Sequence, residues 1–213
     1  DDIRSIASQI EFPLTYVNTP DYEGGLESGW AQTTRAIIEQ LVEPTEMSDK
    51  RKVIVLPHVS LQAIEIEKVK EFISMFDLEV NALPDLSTSL DGHLGEKQAA
   101  LSSGGIDLDT IRALANAGTV ITIGDSMKPS AAALLQKNPE MRHHHFSHLH
   151  GLEATDALVT ALLDQAGSKE IHPAIVRWRK RLQDAMLDCH FSLGQTDVLV
   201  SGEPDQLAGL CQS

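Results

Sequence analysis

The feature that most constrains this chain is a repeated pairing of short apolar runs with helical patterns. Lys52–Leu56 reads KVIVL, Leu78–Leu83 reads LEVNAL and Thr119–Ile123 reads TVITI. Runs this short and apolar suit parallel strands covered on both faces, not strands with one wet face. Helical segments separate them. Val69, Phe72, Ile73 and Phe76 mark one helix face, and Asp107 to Ala117 forms another helix with Asp107 or Asp109 near its start. Pro129 to Lys137 gives a short Ala- and Leu-rich helix. His144 to Phe146 makes a brief fourth strand, and Gly151 to Ala166 a helix closed by Gly167. Strands alternating with helices predict an α/β fold: a Rossmann-like or flavodoxin-like parallel sheet with helices on both faces. Apolar residues make up 42% of the chain but aromatics only 4%, so aliphatic side chains must build the core.

The flanks read differently. Phe12 to Asn18 is a strand signal, followed by a helix face of Leu26, Trp30, Ile37, Ile38 and Leu41 that ends at Pro44. This pair reads as detached from the Lys52–Gly167 unit, with the polar stretch Thr45 to Arg51 as linker. At the other end, Ile171, Ile175, Trp178, Leu182, Ala185, Met186 and Cys189 share one face of a long helix. Arg177, Arg179, Lys180 and Arg181 give that helix a basic band, and Gly194 ends it. Val198 to Val200 reads as a new strand, followed by Ser201-Gly202-Glu203-Pro204 and the start of another helix. One strand and a helical stub form no layer of their own. The organisation expected is therefore a fragment: residues 1–45 end a preceding domain, 46–168 form a complete Rossmann-like domain, and 169–213 hold the long helix and the start of a third.

The 17 basic and 31 acidic residues leave a net charge of −14, which disfavours nucleic acid and anionic membrane surfaces as partners. No apolar run is long enough to cross a membrane, and the first residues have no leader pattern. Cys189 and Cys211 lack a CxxC partner, so they read as buried structural thiols of a cytoplasmic protein.

Ligands of doubly wound sheets bind beyond the carboxyl ends of the strands. The loops expected there begin at Pro57-His58, Pro84-Asp85, Gly124-Asp125-Ser126 and Gly202-Glu203. Candidate polar-ligand residues are Asp91 and His93 in the long loop, Ser102 and Gly104 before the next helix, where free N–H groups would cradle an anion, and Ser126. The bland reading of the long loop, turns plus a helix cap, carries more weight. No GxGxxG, P-loop or GxSxG pattern occurs. Five histidines lie between His143 and His150; His144 with His148, or His148 with His150, have chelating spacing. No acidic or thiol ligand lies in the run, so adventitious metal binding is the stronger reading. Cys189-His190 likewise reads as core plus helix-end histidine, not as a reactive pair.

Four stretches carry a resemblance: YVNTPDYEGGLESGW from Tyr16, LPDLSTSLDGHL from Leu83, HGLEATDALVTAL from His150 and RWRKRLQDAMLDCHFSLG from Arg177, with SGEPDQL from Ser201 fitting the next piece. Together they resemble the nitrogenase component 1 superfamily, and within it the β-like N subunits (the NifN family) of the iron–molybdenum cofactor biosynthesis scaffold. The resemblance implies three Rossmann-like domains per subunit, of which this chain matches the middle portion. It implies an α-like partner subunit, an α2β2 complex and the Fe protein as a further partner. It also implies an interface iron–sulfur cluster, and a cofactor precursor held while molybdenum and homocitrate are added. The family's interface-cluster cysteine lies upstream of Asp1. The α-like partner's precursor-ligating cysteine matches Thr122-Ile123-Gly124-Asp125-Ser126-Met127, which contains none. The resemblance therefore implies a scaffold subunit that is not an enzyme and binds no cofactor through these residues. The alternatives are a β-type subunit of the dinitrogenase molybdenum–iron protein, an oxidoreductase, and a small-molecule or metal-binding α/β module.

Overall fold

The computed structural model describes residues 5–6, 9–90, 92, 103–193 and 197–212. Its centre is a four-stranded, all-parallel sheet in the order β2-β1-β3-β4. The strands are β1 (Asp49–Pro57), β2 (Glu79–Ala82), β3 (Ala117–Ile123) and β4 (Arg142–Phe146). Val53 pairs with Val80 on one side and Thr119 on the other, and Ile121 pairs with His144. Every residue of β3 is buried, as its apolar run predicts.

Two aliphatic clusters sandwich the sheet. One face joins Ile54, Leu56 and Val120 to Ala31 and Ile38 of α1 (Leu26–Leu41) and to Ala131 and Leu134 of α4 (Lys128–Lys137). The other joins Val53, Val55, Ile121 and Ile123 to Ile66 and Ile73 of α2 (Ala63–Ser74) and to Leu158 and Leu162 of α5 (Gly151–Ala166). Burying one such side chain contributes about 1.5–3 kcal/mol. Small residues let α1 and α4 approach closely: Ser130 Oγ donates 3.1 Å to the Ala31 carbonyl, and Thr34 is fully buried.

Several expectations need correction. The first helix is not detached, because Ala31, Ile38 and Val42 belong to the same core as β1. Phe12–Asn18 forms no strand; it runs exposed, and its pairing is supplied by a side chain instead. Tyr16 N–H donates to Gln40 Oε1 at 2.9 Å, and Gln40 Nε2 donates back to the Tyr16 carbonyl at 2.7 Å. The linker ends earlier than expected, since Asp49–Arg51 already belong to β1, with exposed side chains beyond the core. The helix expected over Asp107–Ala117 is only α3 (Leu108–Arg112) plus a 3-10 turn, Leu114–Asn116. Ala113 (φ −87°, ψ 1°) breaks it, and Ala117 already starts β3.

The long helix α6 (Pro173–Leu193) and the final helix α7 (Pro204–Gln212) form as the sequence indicates, while the expected end at Gly194 lies outside the described residues. Ile175 is buried against α5, and Trp178 stacks on Phe72 of α2 with ring centroids 6.4 Å apart. Further along, Leu187 and Phe191 are exposed, as are Val198–Val200, which form no strand. The cysteines correct the expectation of buried thiols: both are exposed, because among the described residues no layer covers this half of α6 or the end of α7.

Candidate functional site

The strand order reverses between β1 and β3, where a doubly wound sheet opens its ligand crevice. Hydrogen bonds to backbone carbonyls hold the crevice walls. His58 N–H donates to the Ile123 carbonyl at 3.0 Å, Gly124 N–H to the Phe146 carbonyl at 2.8 Å, and Trp30 Nε1 to the Pro57 carbonyl at 2.8 Å. Gly124 leaves β3 at φ +103°, ψ 141°, a conformation that side-chain-bearing residues avoid.

The crevice is filled by the chain itself. Asp205, in the first turn of α7, is 3% exposed and lies across the strand ends. Its Oδ1 accepts the Asp125 N–H at 2.6 Å; its Oδ2 accepts the Ser126 N–H at 3.2 Å and the Ser126 hydroxyl at 2.5 Å. The Asp205 N–H donates to Glu27 Oε2 at 3.1 Å. Burial raises the Glu27 pKa, and the Asp205, Glu203 and Asp125 charges add to this against the Asp205 hydrogen bond. Burial lowers the His58 pKa despite the nearby Asp205 and Glu65 charges, so its imidazole is neutral at pH 7. His58 Nδ1 accepts the Ser60 N–H at 3.3 Å, which leaves the ring proton on Nε2.

A polar chain runs beside this plug. Thr122 Oγ1 lies 3.0 Å from His143 Nε2 and 2.9 Å from His145 Nδ1, and His145 Nε2 lies 2.8 Å from Asp125 Oδ1. Asp125 Oδ1 can only accept, so His145 Nε2–H donates to it; in the tautomer with Nδ1 bare, Nδ1 accepts the Thr122 hydroxyl and Thr122 accepts His143 Nε2–H. The Lys128 ammonium, 2.6 Å from Asp125, holds that carboxyl below its usual range, with His145 assisting. Burial lowers the pKa of both His143 and His144. His143 Nε2 and both His145 nitrogens are committed to this hydrogen-bonded corner.

The structure does not gather the sequence-derived candidates. Asp91, His93 and Ser102 lie outside the described residues. Gly104 sits against the Thr88 backbone, and the next N–H, of Gly105, donates to Thr88 Oγ1 at 2.9 Å. That N–H is therefore not free for an anion. The helix that follows is capped by Asp107, which accepts the Thr110 N–H at 2.9 Å. Ser126 is the candidate in the crevice, bound to Asp205. Gly202-Glu203 follows no strand and instead leads into α7. His144 pairs with Ile121 within β4, whereas His148 Nε2 donates to Gln212 Oε1 at 2.8 Å and its Nδ1 accepts the His150 N–H at 3.2 Å. Among the described residues no group of three or more His, Cys, Asp or Glu side chains is placed to hold a metal ion.

The long loop starts from a strong anchor. Asp85 Oδ2 accepts Lys70 Nζ at 2.6 Å, and Oδ1 accepts the Ser87 N–H and hydroxyl at 2.9 and 2.6 Å. Burial alone would raise the Asp85 pKa, but these bonds hold it below the ordinary value. The sequence reading missed Asp205, Glu27 and His145. An acidic residue after a proline in SGEPDQL signals a helix start, but nothing local says that its carboxylate reaches residues some eighty positions away.

The profile of the family described as "Nitrogenase component 1 type Oxidoreductase" matches residues 1–213. A "Nitrogenase iron-molybdenum cofactor biosynthesis protein NifN" of Rhodobacter capsulatus is 36% identical over 199 residues, covering 92% of this chain and 43% of that protein. The protein of the same description from Bradyrhizobium diazoefficiens is 35% identical over 212 residues, covering 98% and 45%. A solved structure, "Nitrogenase Cp1 at pH 6.5", superposes with a TM-score of 0.89 at 25% identity, covering 99% of this chain and 47% of that one. The chain thus spans a little under half the length of the relatives it matches. Among the described residues no helix is long and apolar enough to cross a membrane.

Proposed function

The chain belongs to the nitrogenase component 1 type oxidoreductase family, and on that footing we propose that it is the middle part of a β-like scaffold subunit on which the nitrogenase iron–molybdenum cofactor precursor matures. The observation that carries this reading is the similarity, over nearly the whole chain, to proteins described as NifN. In this reading residues 1–45 lead from a first domain into the second, whose core takes in α1. Residues 46–168 are the middle domain, and 169–213 open a third. The exposed far half of α6 and the exposed Val198–Val200 support the opening of a third domain, since both present apolar side chains to water.

The partners are an α-like subunit, in an α2β2 complex, and the Fe protein, all in the cytoplasm. The chain contributes shape rather than reacting groups. An iron–sulfur cluster held by thiolates does not fit the described residues, because the two cysteines lie exposed on separate helices and no multidentate group surrounds either. In this reading the cluster's ligands come from elsewhere in the complex, and the precursor is cargo. The crevice that a small-molecule module would use holds Asp205, which weighs against that alternative.

The test is co-expression of the full-length protein with the α-like partner. Co-purification as a heterotetramer supports the scaffold reading; a monodisperse monomer in the partner's presence rejects it. The oxidoreductase reading draws on the fold match to a nitrogenase. Substrate reduction by the purified complex with Fe protein would establish it in place of the scaffold.

A further inference from the structure

We infer that the crevice between β1 and β3 is an oxyanion socket that this chain closes on itself, with Asp205 as the pin that fixes α7 across the strand ends. The socket offers Asp205 only donors: the N–H groups of Asp125 and Ser126 and the Ser126 hydroxyl. Both oxygens of the carboxylate are met by them. A carboxylate so far removed from water is tolerated only when its lone pairs are satisfied in this way.

The wall is shaped to the anion. A Cβ at Gly124 would lie 2.5 Å from Asp205 Oδ2 and 2.8 Å from His58 Cβ, so glycine leaves the space that the carboxylate occupies. The neighbouring acids are engaged elsewhere. Glu27 accepts the Asp205 N–H, and Asp125 accepts from His145 and Lys128. Asp205 is therefore the negative charge presented to the socket's donors, and it arrives from a segment far along the chain. Two properties follow. The carboxylate holds the start of α7, beside the Asp205 N–H bond to Glu27 and the His148 bond to Gln212 at its far end, and removing that carboxylate uncovers a site for a small tetrahedral or planar oxyanion. Neither depends on what the whole protein assembles.

The experiment uses the 213-residue chain with isotope-labelled amides and inorganic sulfate as the probe. In the unsubstituted chain, sulfate up to about 50 mM leaves the Asp125 and Ser126 amide signals unmoved, and α7 amides are protected from hydrogen exchange. In Asp205→Ala, α7 amides exchange about tenfold faster or more while β1 and β3 keep their protection. Sulfate then shifts the Asp125 and Ser126 signals saturably. Saturable sulfate shifts at those amides in the unsubstituted chain overturn the inference. So does Asp205→Ala with α7 protection intact, or with α7 released and no sulfate response. If Asp205→Ala does not fold, Ser126→Ala decides: exchange of α7 accelerated severalfold supports the pin, and unchanged exchange rejects it.

Discussion

Replacing Gly124 by alanine tests the crevice geometry directly. The backbone at Gly124 (φ +103°, ψ 141°) lies near a region populated almost solely by glycine, and forcing a side-chain-bearing residue there costs about 1–3 kcal/mol. The new methyl also meets Asp205 Oδ2 at 2.5 Å and His58 Cβ at 2.8 Å. Neither neighbour has slack, since Asp205 is held by three donors and His58 is 5% exposed. Overpacking of this kind costs about 1–3 kcal/mol more. The sum is about 4 kcal/mol, or a melting temperature lowered by about 10 °C for a chain of this size. Gly167 supplies the control. It ends α5 at φ +64°, ψ 24°, but a Cβ there meets nothing within 4 Å. Gly167→Ala therefore carries the backbone cost alone, about 1–2 kcal/mol. Urea unfolding of both variants separates the contributions. If Gly124→Ala is no more destabilised than Gly167→Ala, the close approach of Asp205 to the β3 exit is wrong.

Acid stability should depend on Asp85. Its folded pKa lies below the unfolded value, so its contribution is complete above about pH 4 and is lost as pH falls through the folded value. Asp85→Asn should flatten that part of the acid-unfolding curve; an unchanged curve contradicts the assignment. Asn138 is fully buried, donating to the Ala115 carbonyl at 2.7 Å and the Met47 carbonyl at 3.2 Å while accepting the Glu140 N–H at 3.0 Å. Asn138→Ala strands the buried Ala115 carbonyl and should cost about 1–3 kcal/mol in denaturant titration. Both thiols should react stoichiometrically with a thiol reagent in the folded chain, without denaturant; protection of either contradicts its exposure.

The parallel sheet was legible because KVIVL and TVITI are too short and too apolar to be anything but strands covered twice, and the segments between them have helical spacing. The strand order was not, since nothing local places β1 between β2 and β3. Phe12–Asn18 has the composition of a strand, yet strand formation also needs a free edge, and here one glutamine side chain meets its backbone. Cys189 continues an apolar stripe, which predicts burial only if a layer exists to cover it. The site was the least legible part. Ser126 could be named from its place after a strand, but its partner Asp205 is identified by tertiary folding alone. The histidine run has chelating spacing, a reading already weaker than adventitious binding; alternation in β4 turns His143 and His145 toward Thr122 and gives nitrogens of both rings other work.

The Trp178–Phe72 stack has a mechanical consequence. From Trp178 to Leu193 the helix runs about 22 Å at 1.5 Å per residue, and Leu187 and Phe191 on that stretch are open to solvent. Pivoting α6 by about 10° about the stacked rings would swing its tip by about 4 Å. A small rotation at that point is thereby amplified into a displacement as large as a side chain, which makes this rod a lever pivoting where Trp178 stacks on Phe72 and Arg179 grips Asp156.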